Sequence, residues 1–461
     1  MKKLLLLSFM ILFFLLVKGQ TTNDILNVLV GNNTVTQEQA DSLRAEFAIK
    51  QQTSLPDKKF KIELELRPRT EYREGYKQLP NDTTSAAFFT SQRTRLSFSF
   101  VNEYKLAALL TLQDSRVWGQ YESKNSTASV QIFEAWAEPY ITENFSVRIG
   151  RQRLVYDNQR LFAENNWTLT GAVHDALNLR YNNSKVNADL AFAFNQTGEQ
   201  TFGTYYKPPF SHYKFLAVNN IVYKLDKNWT ITLLNTSDGF QSTANHKKTN
   251  YRFTDGGRLE YLNGSFYLTL SGYYQWGKNE KGVDLSAWYL QPELRYTAHN
   301  KFVARLGAEL MSGTDTQSGG SKDHAFNALY GTAHSFNGSL DLFTRFPADL
   351  GNAGLINPYL FLIQPLGTKW ELRADFHTFS LMENYYQNSK AIDKYLGFEN
   401  DWLLSYKPNA YIKIDAGFSY ALVTESMEIL KKAAVGSHEH NPGFAFISVT
   451  FKPQLFGASF K

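Results

Sequence analysis

Residues 61–73 read KIELELRPRTEYR, and their alternation decides the fold. Lys61, Glu63, Glu65, Arg67, Arg69, Glu71 and Arg73 take every second position, and Ile62, Leu64, Leu66, Pro68, Thr70 and Tyr72 take the others. A period of two belongs to a β-strand, whose successive side chains point to opposite faces, so every charge falls on one face. A soluble sandwich with a charged exterior and a membrane barrel with a charged lumen would both contain this strand. The number of strands and the lengths of their connections separate the two.

Eighteen such segments can be placed: 60–74, 88–101, 104–116, 128–139, 144–154, 174–182, 185–196, 212–225, 228–237, 250–262, 265–277, 285–297, 301–313, 355–363, 369–381, 394–407, 410–423 and 443–453. Most are about twice as long as a usual globular strand. Short connections at 102–103, 142–143, 183–184, 226–227, 263–264, 298–300, 364–368 and 408–409 alternate with much longer ones. Short turns on one side and long loops on the other mark a transmembrane barrel with both chain ends in the periplasm. The expected fold class is therefore all-β membrane: a single 18-stranded antiparallel transmembrane β-barrel over 60–461, preceded by a short N-terminal periplasmic helical segment. Loops near 77–84 and 312–323 then face the cell exterior.

Composition agrees. Aromatics make up 15% of the chain, yet the mean hydropathy is negative, so the apolar residues must be dispersed by alternation and not gathered in membrane-spanning helices. Trp118, Tyr140, Trp229, Trp276, Trp288, Trp370 and Trp402 fall at or near strand ends, where interfacial girdles want them.

Residues 1–19 read as a signal peptide: Lys2 and Lys3, an apolar stretch over 4–17 interrupted only by Ser8, then Lys18-Gly19-Gln20. That stretch is too short for a spanning helix, and Val17 with Gly19 fits the small-residue cleavage rule. Removing Lys2, Lys3 and Lys18 lowers the net charge from +5 to +2, so the basic balance carries no implication of nucleic acid. The chain has no cysteine, which excludes disulfides, thiolate metal sites and a lipoprotein anchor. Residues 20–59 read as a periplasmic helix-turn-helix and linker, with Thr36 and Gln39 forming a capping box. Disorder, or docking of a periplasmic partner on 24–51, stays open for this segment.

If the aliphatic and aromatic face meets lipid, the charged face lines a water-filled lumen. Arg67, Arg69, Arg73, Arg93, Arg95, Arg148 and Arg180 then point inward beside Glu63, Glu65, Glu71, Glu134 and Glu138. On later strands Arg258, Arg295, Arg305, Arg373 and Lys413 face a larger acidic set: Glu260, Glu293, Glu309, Glu371, Asp375, Glu399, Asp401 and Asp415. A guanidinium fork can hold a carboxylate at two points, or it can simply pair with a neighbouring acid and stiffen the wall. As a set, an arginine-rich wall opposite an acidic one produces a transverse field across the pore.

Several stretches resemble the alginate-export porin family: 67–73 (RPRTEYR), 92–96 (QRTRL), 112–119 (LQDSRVWG) and 147–160 (VRIGRQRLVYDNQR) with Trp167 and Asp175. So do Ser312-Gly313, Leu329-Tyr330-Gly331, 334–338 (HSFNG) with Asp341, and Gly397-Phe398-Glu399. The resemblance implies a monomeric 18-stranded barrel whose lumen arginines guide an anionic polysaccharide outward. By motif position it carries over Arg67, Arg69, Arg93, Arg95 and Arg151, while the facing of Arg153 depends on a bulge near Gly150.

The leading reading is a passive outer-membrane channel of a Gram-negative-type cell for anionic or charged solutes, with an alginate-like polysaccharide among them. The alternative is an uptake porin for small charged solutes or oligosaccharides. A barrel hydrolase and a surface-binding protein are readings of other classes. Residues 334–338 resemble the His-Ser-Asn region of outer-membrane phospholipase but lie in a long loop, and Asp375 shares a strand face with His377. No P-loop, HExxH or dinucleotide-binding glycine pattern occurs. A non-enzymatic chain without cofactor or metal, partnered by membrane lipid and its solute, is the expectation.

Overall fold

In the computed structural model, residues 36, 39, 40, 58–121, 129–204, 206, 212–242, 244–315, 317 and 320–460 are described. The chain divides into two compact units, Lys58–Ser459 and Met1–Asp57 with the last two residues. In the N-terminal unit the capping box forms in both directions: Thr36 N donates to Gln39 Oε1 at 3.0 Å and Gln39 N to Thr36 Oγ1 at 3.2 Å. The leader and the rest of the helix-turn-helix reading lie outside the described residues.

Among the described residues of the larger unit, twenty strands belong to one sheet. Two of them, Lys322–Asp323 and Gln454–Phe460, are short additions, which leaves eighteen wall strands. They are β1 Lys58–Glu74, β2 Ala87–Asn102, β3 Leu106–Val117, β4 Gln131–Pro139, β5 Phe145–Gln152, β6 His174–Asn182, β7 Val186–Phe194, β8 Phe215–Lys224 and β9 Trp229–Gln241. The wall continues with β10 Thr249–Asn263, β11 Phe266–Lys278, β12 Asp284–Thr297, β13 Val303–Met311, β14 Leu355–Leu366, β15 Trp370–Leu381, β16 Tyr395–Asn409, β17 Ile412–Val423 and β18 Gly443–Phe451. Each pairs antiparallel with its sequence neighbour, and β18 returns to β1 in a register from Leu66↔Phe451 to Glu74↔Gly443, so the sheet closes on itself.

Every strand read from the alternation is present. Beyond the last segment read from the sequence, Gln454–Phe460 forms a further strand that pairs with β1. Leu64 N donates to Pro453 O at 3.1 Å, and the Phe60 and Phe456 rings lie 6.3 Å apart.

The outward face is apolar through the middle of the wall, with Leu110, Leu233, Leu270, Leu306, Phe418 and Ile447 all exposed. In an aqueous protein such exposure would be a defect; against acyl chains it is the matched surface. Aromatic pairs flank it near the short turns, Trp229 on Tyr261 at 4.5 Å and Trp370 on Tyr406 at 4.2 Å, and near the loops, Phe253 on Trp276 at 4.3 Å. Trp402 departs from the girdle expectation, since it sits in the middle of β16 opposite Ala374.

The lumen is not simply water-filled. Residues 153–173 and 312–354, together with helix α1 (Glu425–Lys431), bring an apolar core inside the loop end of the barrel. Leu161, Phe162, Phe326, Leu340, Leu342, Phe343 and Leu350 bury against wall residues such as Tyr289, Met311, Leu355 and Phe379. Wall positions there are correspondingly apolar, Met311, Leu355 and Phe379 among them.

Candidate functional site

The two in-folded loops are held by opposite kinds of wall. Arg67 donates Nη1 to Asn166 O at 2.7 Å and Nη2 to Thr168 O at 2.9 Å. Arg69 reaches Trp167 O at 2.7 Å, Arg93 reaches Asn166 Oδ1 at 2.6 Å, and Arg95 reaches Thr170 O at 3.2 Å. Ser115 Oγ adds a bond to Leu169 O at 3.1 Å. Arginines on β1 and β2 thus cradle consecutive backbone carbonyls of one loop, while Glu65 and Glu71 balance Arg93 and Arg69.

The acidic wall does the converse. Glu399 Oε1 accepts the backbone N–H of Leu340 at 2.7 Å, and Asp401 Oδ2 accepts that of Ser339 at 3.1 Å. Gly338 permits this approach, since it has φ +84° and an added Cβ would lie 2.4 Å from Glu399 Oε1. The loops also bind each other: Phe162 and Tyr330 form a parallel bridge, and Arg160 donates to Thr332 O at 2.8 Å and Asn337 Oδ1 at 3.0 Å.

A stacked cluster closes the arrangement. The Trp167 ring lies 3.9 Å from the His334 ring at an interplanar angle of 6°, with the Arg69 guanidinium 4.0 Å from the indole. His334 Nδ1 meets Asp341 Oδ1 at 2.8 Å, and the Tyr76 hydroxyl donates to the other carboxylate oxygen. Burial works against ionisation of Asp341, yet the His334 ring and the Tyr76 and Lys77 side chains hold its pKa below the usual carboxylate range.

Most of the other inward arginines pair with carboxylates. Arg73 bonds Glu71 at 2.5 Å, Arg148 and Arg180 share Glu138 at 2.6 and 2.9 Å, and Arg180 also meets Asp189 at 3.1 Å. Arg258 pairs with Glu260 at 2.7 Å, Arg305 with Glu293 at 2.7 Å and Arg373 with Asp375 at 2.6 Å, while Arg295 stacks 4.4 Å from the Tyr267 ring. Arg151 does not line the lumen. Gly150 adopts φ +122° and an added Cβ would lie 2.2 Å from Ala135 O, but the register runs unbroken from Arg148↔Asn178 to Gln152↔His174, so alternation from the inward Arg148 puts Arg151 outward. Arg151 then emerges on the outer face beside Asp175 at 3.1 Å, both well exposed, and Arg153 turns inward to Glu134 at 3.0 Å.

Sequence reasoning missed Arg160, Trp167, Tyr330, Asp238 and Arg252 as parts of the site. Tyr330 donates to Asp238 Oδ2 at 2.7 Å, and Arg252 grips the same carboxylate at 2.5 Å. Asp238 lies one residue beyond the ninth segment read from the sequence and Arg252 is given no facing there, and nothing local marks which loop residue will meet them. The hydrolase-like fragments are structural. Asn337 bonds Glu309 and Arg160, and His377 bonds Asn357 Oδ1 at 3.1 Å instead of Asp375. Among the described residues no group of three or more His, Asp or Glu side chains is arranged to hold a metal.

Below the in-folded loops two cavities adjoin, of about 240 and 720 Å³, sharing Val155, Tyr156, Arg180 and Asp189 in their linings. The larger extends to the short turns at Tyr140, Asn144 and Asn183, the periplasmic end of the wall.

No protein-family model matches the chain, and no curated protein matches it either. Solved structures do share the fold. Pseudomonas aeruginosa OccK9 (OpdG) superimposes with a TM-score of 0.60 at 10% identity, covering 86% of this chain and 98% of that one. OpdO of the same organism gives 0.58 at 12% identity, and OpdK solved with vanillate gives 0.56 at 11%, each covering 86% of this chain and 98% of its own. The fold is that of an outer-membrane β-barrel. The resemblance to the alginate-export porins is thereby overturned: no family model supports it, and the similar solved barrels are Opd proteins. Short alternating fragments such as RPRTEYR are what any charged lumen wall requires, so they carry fold and not family.

Proposed function

We propose that the protein is an outer-membrane channel for the uptake of small charged solutes, with the lumen arginines and acids as its selectivity-setting residues. The observation that supports this reading is the division of the lumen. Arginines on β1 and β2 and carboxylates on β16, three strands from β1 on the closed wall, each hold an in-folded loop, and beside the first of these loops the lumen keeps cavities of small-molecule size. A passage of that size suits diffusing nutrients and not a polymer conduit. A transverse field orients solutes that carry charge or a dipole. Vanillate, present in the OpdK structure, is a carboxylate, and a carboxylate is the group that guanidinium forks recognise best. The proposed organisation has a cleaved leader over 1–19 and a periplasmic segment over 20–59, of which 24–51 is the stretch open to a periplasmic partner.

Purified, refolded protein in a planar bilayer should give discrete KCl conductance steps, and liposomes containing it should swell in small carboxylate salts. A heat-modifiable, correctly folded barrel that conducts nothing would sink the channel reading.

A further inference from the structure

Around the two adjoining cavities three polar side chains keep an oxygen with no hydrogen-bond partner among the described residues: Tyr156 OH, Asn178 Oδ1 and Asn220 Oδ1. All three are more than nine-tenths buried, at 5%, 3% and 6% exposure, so bulk water does not satisfy them freely. An orphaned buried polar group costs about 1–3 kcal/mol, and three along two adjoining cavities, Asn178 on the smaller, Asn220 on the larger and Tyr156 on both, call for an occupant that supplies hydrogen bonds. Tyr156 belongs to both cavities, which places its hydroxyl at their junction.

The chemistry of the lining narrows the occupant. Arg148 and Arg180 are already neutralised by Glu138 and Asp189, so an anionic group gains little there. Asn144, Asn182, Asn183 and Asn187 add further carboxamides to the larger cavity. A carboxamide offers an acceptor and a donor side by side, and a hydroxyl is the ligand group that answers either one whichever way the amide is turned. The orphaned oxygens ask for donors, and a hydroxyl supplies one without the desolvation cost of an ammonium. We infer that this void is a subsite for the polyhydroxylated part of a solute, a sugar or sugar acid, lying on the periplasmic side of the arginine cradle. The inference rests on the channel reading and sharpens its substrate class: the solute carries hydroxyls in addition to charge.

The test uses the full-length protein in a planar bilayer with KCl current as the baseline. Glucose should reduce the current in a saturable manner, and an oligoethylene glycol of matched size, which offers ether acceptors in place of a ring of hydroxyl donors, should not saturate. Tyr156→Phe, which keeps the ring packing, and Asn220→Leu should each raise the half-blocking glucose concentration about fivefold, the factor that corresponds to one net hydrogen bond of about 1 kcal/mol. The KCl current of each variant serves as its own baseline. Equal action of glucose and the glycol on the wild type, or unaltered glucose block in both variants, overturns the subsite and leaves the channel reading standing. Absence of any KCl current overturns both.

Discussion

Arg160 Nε meets Glu309 Oε1 at 2.9 Å, and neither side chain keeps more than 1% of its surface exposed. The pair joins the first in-folded loop to β13, and Arg160 simultaneously bonds Thr332 and Asn337 of the second. Removing one partner of such a pair strands the other charge, a cost of about 3–5 kcal/mol. Arg160→Met should therefore release the loops without opening the wall. Limited proteolysis should cut the variant within 153–173 or 312–354 while its heat-modifiable migration is retained. Wild-type resistance in the variant would show that the apolar core holds the loops unaided.

The arginine cradle gives a second expectation. Arg69→Ala with Arg95→Ala removes bonds to Trp167 O and Thr170 O, so the loop should loosen and single-channel conductance should rise. Anion over cation selectivity should fall at the same time, most at low salt, because the Debye length of about 10 Å at 0.1 M is comparable to the reach from wall to pore axis. Reversal potentials measured under a salt gradient check it. Equal values in variant and wild type would reduce these arginines to loop anchors alone.

A third expectation concerns pH at the loop over 424–442. His438 Nδ1 lies 2.7 Å from Glu428 Oε2, and that bond, with the neighbouring Glu425 and Glu439 charges, raises the imidazole pKa above its ordinary value despite some desolvation. A base raised in the folded state adds stability that is fully present below its unfolded value of about 6.5 and fades as pH rises through the folded one. Protease sensitivity of this loop should accordingly increase from mildly acidic to mildly alkaline buffer, and His438→Gln should be equally sensitive at both. An unchanged pH response in that variant would assign the effect to another group.

The lipid face supplies the fourth. Leu270 is outward in the middle of β11, opposite Pro292, and is 45% exposed. Leu270→Arg should lower stability by about 2–4 kcal/mol near the bilayer midplane. Equilibrium unfolding in lipid vesicles reads this directly, and an unmoved midpoint would place the residue away from the acyl chains.

The wall was legible because its constraint is local: alternation of two repeats at every strand, and closure fixes which face meets lipid. Thus Arg67, Arg93 and Glu399 could be assigned inward from their neighbours alone. The motif resemblance carries Arg151 inward, but alternation from the inward Arg148 already puts it on the other face, and its unbroken register with Asp175 shows it there. The loops were illegible for a different reason. Trp167 and His334 stack across a separation of well over a hundred residues, and no period in either segment encodes the meeting. Charge on the wall was visible, but not that loop carbonyls and N–H groups would occupy it.

The segment past Pro453 has a consequence for the edge of β1. On the side away from β2, no described wall strand covers Lys58 to Leu64, and Gln454–Phe460 pairs with β1 instead. Without that segment half of the first strand would present unpaired N–H and C=O groups to whatever else can add a strand, so these few residues act as a guard against edge-to-edge association.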